Sequence, residues 1–435
     1  MDPLVAALIL SAVLVVALVA GVWIGAAVAI TATVGFMAFS STPPSLNLAR
    51  AFWEIGSADA LASLPLFIWM GEILFRTKLS DQMFAGLAPW LTRVPGRLLH
   101  VNVLACGIFG SVSGSSAATC ATVAKIALPE LRRRGYDEKI VLGTLTGAGT
   151  LGILIPPSIA MVVYAVAADQ NVIRVFLAGI VPGLMLMAFF SAYLMFWAWR
   201  HPERVPVEST PSWREKFLAL KQLLPITVLI IGVFYVLLAG VATANESAAW
   251  GVLGALGLAA VSRSLTWAAF RDSVLGTVRL SCMIIFILCA ANMLSYVMGF
   301  TRIPGTLADW VAAKQLSPYA LMAILTLVYL LLGTALDGVS MIVLTTVVVI
   351  PLVQKAGFDL VWFGIFIVLL IEIAEVTPPL GFNMFVLQNM SGRSMGFIAR
   401  ASLPFFFLML LAVAIIVVWP GIVTWLPDVV YGKSK

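Results

Sequence analysis

The sequence predicts an all-α polytopic membrane protein, and two observations support this fold class. Of 435 residues, 62% are hydrophobic and 11% are charged, whereas a soluble protein carries about 25% charged residues. Long apolar runs also approach the roughly 20 residues that a helix needs to cross a bilayer. They include Leu4 to Ala20, Leu184 to Trp199, Ile226 to Ala242 and Phe405 to Trp419. Because the runs are continuous rather than alternating, a transmembrane β-barrel is excluded.

The scarce polar residues exclude several classes of function. The net charge of +6 comes from basic residues in short connections between apolar runs, so they report membrane topology and we expect no nucleic-acid partner. All four cysteines lie in apolar stretches without metal-ligand spacing, and His100 and His201 are the only histidines. The sequence therefore predicts neither an enzyme nor a zinc protein, and it predicts no organic cofactor.

The two halves of the chain share a pattern at a fixed offset. Five residues that determine backbone conformation recur 222 residues later without a gap, which is the distance from Pro129 to Pro351. The first set is Pro129, Gly135, Asp137, Pro156 and Pro157, and the second is Pro351, Gly357, Asp359, Pro378 and Pro379. Proline and glycine are common in membrane helices, so coincidence is the alternative, but five identities at one offset favour a duplication.

Charge indicates how the two halves are oriented. The polar stretch Arg200 to Gln222 lies between them and is predicted to be a cytoplasmic linker. The connection at 129–139 contains four basic residues, whereas the matching connection at 351–361 contains only Lys355. By the positive-inside rule the first connection faces the cytoplasm and the second faces outward. This predicts an inverted-topology repeat, which is typical of alternating-access secondary transporters.

A run of small and hydroxyl residues at 110–119 predicts a re-entrant helical hairpin. Its apolar flanks, Val101 to Phe109 and Ala121 to Leu128, are each too short to span a bilayer. The tip is expected at Ser111 to Ser116, where non-helical backbone would be buried in protein or line a wet cavity. A helix-packing surface is the alternative. Five consecutive small residues, Ser113 to Ala117, would however cover the whole circumference of a helix.

Two proline pairs predict two broken helices. Pro156 and Pro157 remove two amide donors and clash with the preceding turn, so a break there would free backbone carbonyls. The half-helix resuming at Ser158 would present amides and a positive dipole end to an anion. A simple kink is the alternative, but the same pair recurs at Pro378 and Pro379.

Acidic residues mark the second half of the chain. In place of the serine-rich tip it has Leu332 to Ser340, which predicts a second hairpin with Asp337 at the position of Ser115. Charges in apolar segments are costly and face the protein interior or a cavity. Asp337 is therefore a candidate cation ligand. Glu372 and Glu375 are further candidates, with a structural role, bonded to backbone or hydroxyl groups, as the alternative.

Several strings resemble the large membrane subunit of tripartite ATP-independent periplasmic (TRAP) transporters over nearly the whole chain. They are Phe109 to Thr119, Pro129-Glu130, Arg134 to Asp137, Ile155 to Ser158, Leu177 to Gly183, Thr377 to Gly381 and Leu403 to Phe405. The resemblance implies Na⁺-coupled import of a small organic anion of the carboxylate class across a bacterial inner membrane. It also implies an elevator mechanism, in which a transport domain moves past a fixed scaffold. The alternative is a stand-alone Na⁺- or H⁺-coupled dicarboxylate or inorganic-anion symporter of similar inverted-hairpin architecture.

The resemblance also implies site residues. One Na⁺ site would use oxygens of Ser113, Gly152, Ile155 and Pro157. A second would use Gly333, Asp337, Thr377 and Leu380. The substrate would lie between the hairpin tips, near Ser115, Ser116, Ser158 and Asn383. The string Glu372 to Glu375 departs from the family pattern and adds Glu375.

Partners and domains follow from the same resemblance. Besides the lipid bilayer, the partners implied are a small four-helix membrane subunit and a periplasmic substrate-binding protein. The small subunit is expected as a separate chain, because no apolar extension precedes Met1 or follows Lys435. The domains implied are scaffold helices at 1–95 and 225–325, transport-domain parts at 96–185 and 326–392, a connecting helix and linker at 186–224, and a C-terminal helix at 393–435.

Overall fold

The computed structural model describes residues 2–77, 79–208, 211–334, 336–378 and 381–432, and these residues form helices and short connections. A single 3₁₀ turn, Pro202–Arg204, accompanies the α-helices. In chain order they are α1 (Pro3–Val19), α2 (Ile24–Phe39), α3 (Pro44–Gly56), α4 (Asp59–Arg76), α5 (Leu79–Leu91), α6 (Leu99–Ser113), α7 (Ser116–Arg133), α8 (Glu138–Leu154), α9 (Ile159–Ala167), α10 (Val172–Arg200), α11 (Trp213–Leu238), α12 (Ala244–Val261), α13 (Trp267–Thr301), α14 (Ile303–Ala313), α15 (Pro318–Leu332), α16 (Gly338–Lys355), α17 (Leu360–Glu375), α18 (Phe382–Ser391), α19 (Met395–Val418) and α20 (Gly421–Tyr431).

Several of these helices are long and apolar enough to cross a membrane. Within the described ranges, five single helices meet that test, namely α10, α11, α13, α16 and α19. Two bent pairs of helices raise the number of possible spans to seven. They are α3 with α4, and α8 with α9, and the axes of α8 and α9 meet at 43°. The predicted fold class, an all-α polytopic membrane protein, is confirmed.

The offset of 222 residues is also present in the helix pattern. Helices α7 and α16 begin and end at positions that differ by this offset, and α8 and α17 begin at positions that differ by the same offset. Gly135 and Gly357, which follow α7 and α16, have φ angles of +80° and +81°, a conformation that glycine adopts without strain. Asp137 and Asp359 then cap the next helices through their carboxylates. The two segments therefore share helix bounds, turn geometry and caps.

The core runs through the centre of α8 and α17, which are buried on all sides. Every residue from Ile140 to Leu154 is buried, and so is every residue from Val361 to Ala374. A helix that is apolar all round in this way belongs inside the protein rather than at a lipid-facing surface. The helices that carry the predicted break points thus form the centre of the molecule, and α6, α7 and α19 pack around α8.

A network of charged groups joins the connection between α7 and α8 to the linker. Arg134 pairs with Glu208 of the linker at 2.5 Å, and Arg204 pairs with Asp137 at 3.2 Å. Glu138 accepts hydrogen bonds from Arg132 and Arg393. Burial raises the pKa of Glu138, but the hydrogen bonds and positive charges of these two arginines together have the larger effect and hold the pKa below its ordinary value. The basic connection is therefore held against the linker and the turn before α19.

We expect the connections at Arg133 and Lys355 to lie on opposite sides of the membrane. Both side chains are exposed, at 74% and 51%, so a cysteine at either position is accessible. In a Cys282→Ser background, which removes the exposed cysteine, an impermeant maleimide should label Lys355→Cys in intact spheroplasts and Arg133→Cys only in inverted vesicles. Labelling of both positions from one side would contradict the inverted repeat.

Candidate functional site

The tip between α6 and α7 is a turn of two residues, Gly114 and Ser115. Gly114 has φ +59°, and Ser115 is the N-cap of α7. The Ser113 hydroxyl lies 2.6 Å from the Thr119 hydroxyl and donates to the Ser115 carbonyl at 3.2 Å. The turn falls inside the predicted range Ser111 to Ser116, and it gathers hydroxyl and carbonyl oxygens in a small volume.

The first proline pair breaks a helix as predicted. Helix α8 ends at Leu154 and α9 begins at Ile159, on either side of Pro156 and Pro157. The Ser158 hydroxyl donates to the Ile153 carbonyl at 2.6 Å. This bond satisfies one carbonyl that the break frees, as buried backbone groups require. Ser158 is itself buried.

Two glycines let the tip and the helix break touch through their backbones. A Cβ at Gly110 would lie 2.5 Å from the Gly152 Cα. A Cβ at Gly152 would lie 2.5 Å from the Thr119 hydroxyl and 3.0 Å from the Ser115 carbonyl oxygen. The two distances of 2.5 Å are shorter than a Cβ can tolerate without a shift of its neighbours, so glycine at both positions permits this approach.

The four predicted ligands of the first Na⁺ site lie on the two sides of this contact. Ser113 comes from the tip, and Gly152 lies directly against it. The Ile155 side chain faces an apolar cavity of about 480 Å³, so its backbone is the group left for a ligand. Pro157 is buried two residues further along the break. Sequence reasoning missed Thr119, although its hydroxyl lies on the same face of α7 as Ser116, three residues earlier.

Two of the four predicted substrate residues are in direct contact. The Ser116 hydroxyl donates to the Asn383 side-chain oxygen at 2.9 Å, across 267 residues of sequence. The Asn383 amide nitrogen donates to the Thr146 carbonyl at 3.2 Å. Ser115 is next to this contact in the turn. Ser158 lies beside the turn as well, because a Cβ at Gly114 would be 3.1 Å from the backbone nitrogen of Ile159.

The second predicted Na⁺ site is less compact. The Asp337 carboxylate caps α16, accepting the Ser340 hydroxyl at 2.5 Å and the Ser340 amide at 3.3 Å. Gly333 packs against Ala374 on α17, three residues before Thr377. The Thr377 hydroxyl donates to the Ile373 carbonyl at 2.6 Å. Leu380 and Pro379 lie outside the described residues, and the helices on either side of them end at Glu375 and begin at Phe382.

Two acids lie at the end of α17: Glu372 is fully buried, and Glu375 is half-buried with its Oε2 atom enclosed. Among the described atoms, neither carboxylate oxygen of Glu372 has a hydrogen-bond partner, and the same holds for Oε2 of Glu375. The alternative role predicted for Glu372 was a hydrogen bond to backbone or hydroxyl groups. No such bond is present among the described atoms. Glu375 lines a cavity of about 10 Å³ together with Gly333 and Gly338, which is about the space of one water molecule.

One string, Gly392 to Gly396, fits the Gly-x-Ser-x-Gly pattern found around the nucleophile of many hydrolases. In the structure it forms the exposed turn between α18 and α19, with Ser394 as the N-cap of α19. His100 bonds to the Pro95 carbonyl, and His201 bonds to the Trp197 carbonyl. Among the described residues, no hydrogen bond joins either histidine to Ser394.

A buried helix break and an oxygen-rich turn inside a multi-pass helical bundle define a membrane transport protein. Residues 11–422 match the family model described as "Tripartite ATP-independent periplasmic transporter, DctM component". The chain belongs to this family, as the sequence motifs predicted. It is a transporter permease subunit of the bacterial inner membrane and not an enzyme.

Relatives agree with this assignment. The chain is 31% identical over 386 residues to the C4-dicarboxylate TRAP transporter large permease protein DctM of Pseudomonas aeruginosa, covering 88% of this chain and 89% of that one. It is 30% identical over 379 residues to the ectoine/5-hydroxyectoine large permease protein UehC of Ruegeria pomeroyi, covering 86% and 87%. It is 29% identical over 410 residues to an isethionate TRAP permease protein of Oleidesulfovibrio alaskensis, covering 93% and 64%.

Among solved structures, the YdaH transporter of Alcanivorax borkumensis has a similar fold. Its TM-score is 0.62 at 14% identity, over 87% of this chain and 88% of that one. MtrF of Neisseria gonorrhoeae gives a TM-score of 0.52 at 13% identity, over 86% and 83%. These two likenesses concern the fold alone.

We expect Gly152→Ala to separate the tip from the helix break. The added methyl group would overlap the Thr119 hydroxyl and the Ser115 carbonyl, and overpacking of this kind costs about 1–3 kcal/mol. Gly257→Ala is the matched control, because a Cβ there would meet nothing within 4 Å. Detergent-purified Gly152→Ala should unfold at a lower temperature than Gly257→Ala. Equal unfolding temperatures would contradict the close contact.

Proposed function

We propose that this chain forms the transport path of a Na⁺-coupled uptake system for a small organic anion of the carboxylate class. A periplasmic binding protein would deliver the anion, and a separate small membrane subunit would complete the complex. The observation that supports this most is the contact of the oxygen-rich tip with the helix break at Gly152. Unwound backbone carbonyls at broken helices are the groups that coordinate Na⁺ in secondary transporters.

In this proposal the first Na⁺ binds at the contact of tip and break. Its ligands are oxygens of Ser113, Gly152, Ile155 and Pro157, and the Thr119 hydroxyl holds Ser113 in place. These groups are neutral, so the site gains no fixed negative charge that would repel an anion nearby. The second Na⁺ binds between Asp337 and Thr377, with Gly333 and Leu380, and Asp337 supplies a carboxylate there.

The substrate would bind where Ser116 and Asn383 meet. Both side chains are polar and buried, and they come from helices of opposite halves of the chain. The start of α9 lies beside the adjoining turn at Gly114, and the backbone amides at a helix start favour an anionic group. The relatives are named for C4-dicarboxylates, ectoine and isethionate, small molecules that each carry an acidic group. A carboxylate or a similar anion therefore suits this position.

The proposed motion is that of an elevator. The part carrying the tips and breaks, α6–α9 and α15–α18, moves relative to α1–α5 and α11–α14. Gly71 on α4 lies against the first tip, because a Cβ there would be 2.6 Å from the Val112 carbonyl oxygen. A flat, side-chain-free contact at that point suits sliding. The family match over residues 11–422 favours this function over a stand-alone symporter.

We expect Asp337→Asn to weaken Na⁺ dependence while the protein stays folded. Asparagine preserves the N-cap of α16 but removes the charge that would bind the second Na⁺, so half-maximal uptake should need about tenfold more Na⁺, equivalent to about 1.4 kcal/mol. The matched control is Asp359→Asn, a second aspartate N-cap, on α17.

The measurement is uptake by the complete complex in proteoliposomes. The substrate would be identified beforehand from a panel of organic acids by thermal shift of the binding protein. Uptake by Asp337→Asn with the Na⁺ dependence of the Asp359→Asn control would remove Asp337 from the site. If the rate of uptake by the unaltered complex did not depend on the Na⁺ gradient, the proposed coupling would be refuted.

A further inference from the structure

A large cavity opens beside the hairpin arm α7, away from the tip. Its volume is about 790 Å³, within the range of about 300–1,000 Å³ that small-molecule sites occupy. Its wall is formed by the end of α4, the middle of α7, the end of α18 and the turn between α12 and α13. The cavity therefore lies between the part proposed to move and the part proposed to stay fixed.

The charged residues on this wall are mostly cations. The basic residues are Arg76, Lys125 and Arg263, and the acid is Asp272. Arg76 is paired with Glu72, and Asp272 is paired with Arg271. In the part of the chain that the structure describes, Lys125 and Arg263 have no ion-pair partner. Two uncompensated positive charges thus face one cavity, together with the Thr122 and Ser264 side chains.

The cavity lies between the substrate position and the basic side of the protein. Ala121 lies five residues from Ser116 on α7, and Met390 lies seven residues from Asn383 on α18, which is about 8 Å and 10 Å along each helix. At its other end, Lys125 also lines a neighbouring cavity of about 600 Å³ that reaches Arg133 and Arg134. That side is the one predicted to face the cytoplasm.

We propose that this cavity is an exit vestibule with a second, weak anion site, in which Lys125 and Arg263 bind the acidic group of the substrate after it leaves Ser116 and Asn383. The inference rests on the proposed function for the identity of the anion. Two cations on opposite walls attract a carboxylate, and their exposure to water keeps the affinity low. A substrate that binds too tightly here would not leave.

Arg263 offers a variant that removes the charge without straining the fold. Its φ is +51°, the left-handed region that glycine adopts freely, so Arg263→Gly should fold at least as well as the parent. Arg302→Gly is the matched control. Arg302 has φ +54° and is exposed, and it lies at the opposite end of α13, about 50 Å away along the helix.

The test measures the electric field in the cavity with charged thiol reagents. In full-length protein in nanodiscs, carrying Cys282→Ser and Ala121→Cys, the rates of a sulfonate and a trimethylammonium methanethiosulfonate are compared. The other three cysteines are buried. The sulfonate should react faster, and its advantage should fall about fivefold at low salt for each cation removed by Lys125→Gln or Arg263→Gly. Arg302→Gly should leave the ratio unchanged.

Two further arms identify the anion. Millimolar succinate should slow labelling in the parent and not in Arg263→Gly, with sodium chloride of equal ionic strength as the control. Nanodiscs containing phosphatidylglycerol should label as fast as those of phosphatidylcholine alone. Equal labelling rates for the two reagents would overturn the proposal. Protection by phosphatidylglycerol but not by succinate would also overturn it, because the site would then bind lipid head groups.

A transport assay distinguishes a failure of this inference from a failure of the proposed function. In Na⁺-driven uptake by the complete complex, Arg263→Gly should lower the maximal rate about fivefold without changing the Na⁺ concentration for half-maximal uptake, since it leaves both Na⁺ sites intact. An unchanged maximal rate would overturn the vestibule while leaving Na⁺ coupling in place. Loss of Na⁺ coupling in the unaltered complex would refute the function, whereas the labelling ratios do not depend on Na⁺.

Discussion

The close backbone contact between Gly110 of α6 and Gly152 of α8 is the constraint on which the rest of the site depends. A side chain at either position would push the hairpin away from the broken helix. Without that contact, the Ser113 and Thr119 hydroxyls would not meet the end of α8, and Ser116 would not reach Asn383. Glycine here contributes the absence of a Cβ, which lets polar backbone of two elements share one small volume.

The two halves use the same architecture with different chemistry. Ser115 and Asp337 are both N-caps of the second helix of a pair, at α7 and α16. In the first half the cap is neutral and the surrounding oxygens are hydroxyls and carbonyls. In the second half the cap is a carboxylate, with the buried Glu372 and the half-buried Glu375 at the end of α17. The two segments thus share backbone geometry, while the acidic side chains near the tips and helix ends, Asp337, Glu372 and Glu375, lie in the second half.

The sequence was sufficient for features that depend on local backbone chemistry. Pro156 and Pro157 predicted the break between α8 and α9, and the small residues at 110–119 predicted the turn at Gly114. Contacts between distant segments did not follow from local backbone chemistry, and only the family resemblance placed Ser116 near Asn383. The bond from Ser116 to Asn383 joins residues 267 positions apart, and the wall shared by Lys125 and Arg263 depends on how α7 packs beside the α12–α13 turn. Composition and spacing carry no information on either packing contact.

Na⁺-selective stabilisation of the purified chain is the most direct test of the central claim, that neutral oxygens at the tip and the helix break form a cation site. A ligand that binds only the folded protein raises its unfolding temperature as its concentration rises. Thermal unfolding in sodium chloride should therefore occur at a higher temperature than in potassium or choline chloride of equal ionic strength. Gly152→Ala should reduce that difference to the part that the second Na⁺ site contributes. Equal unfolding temperatures in the three salts for the unaltered chain would contradict the account.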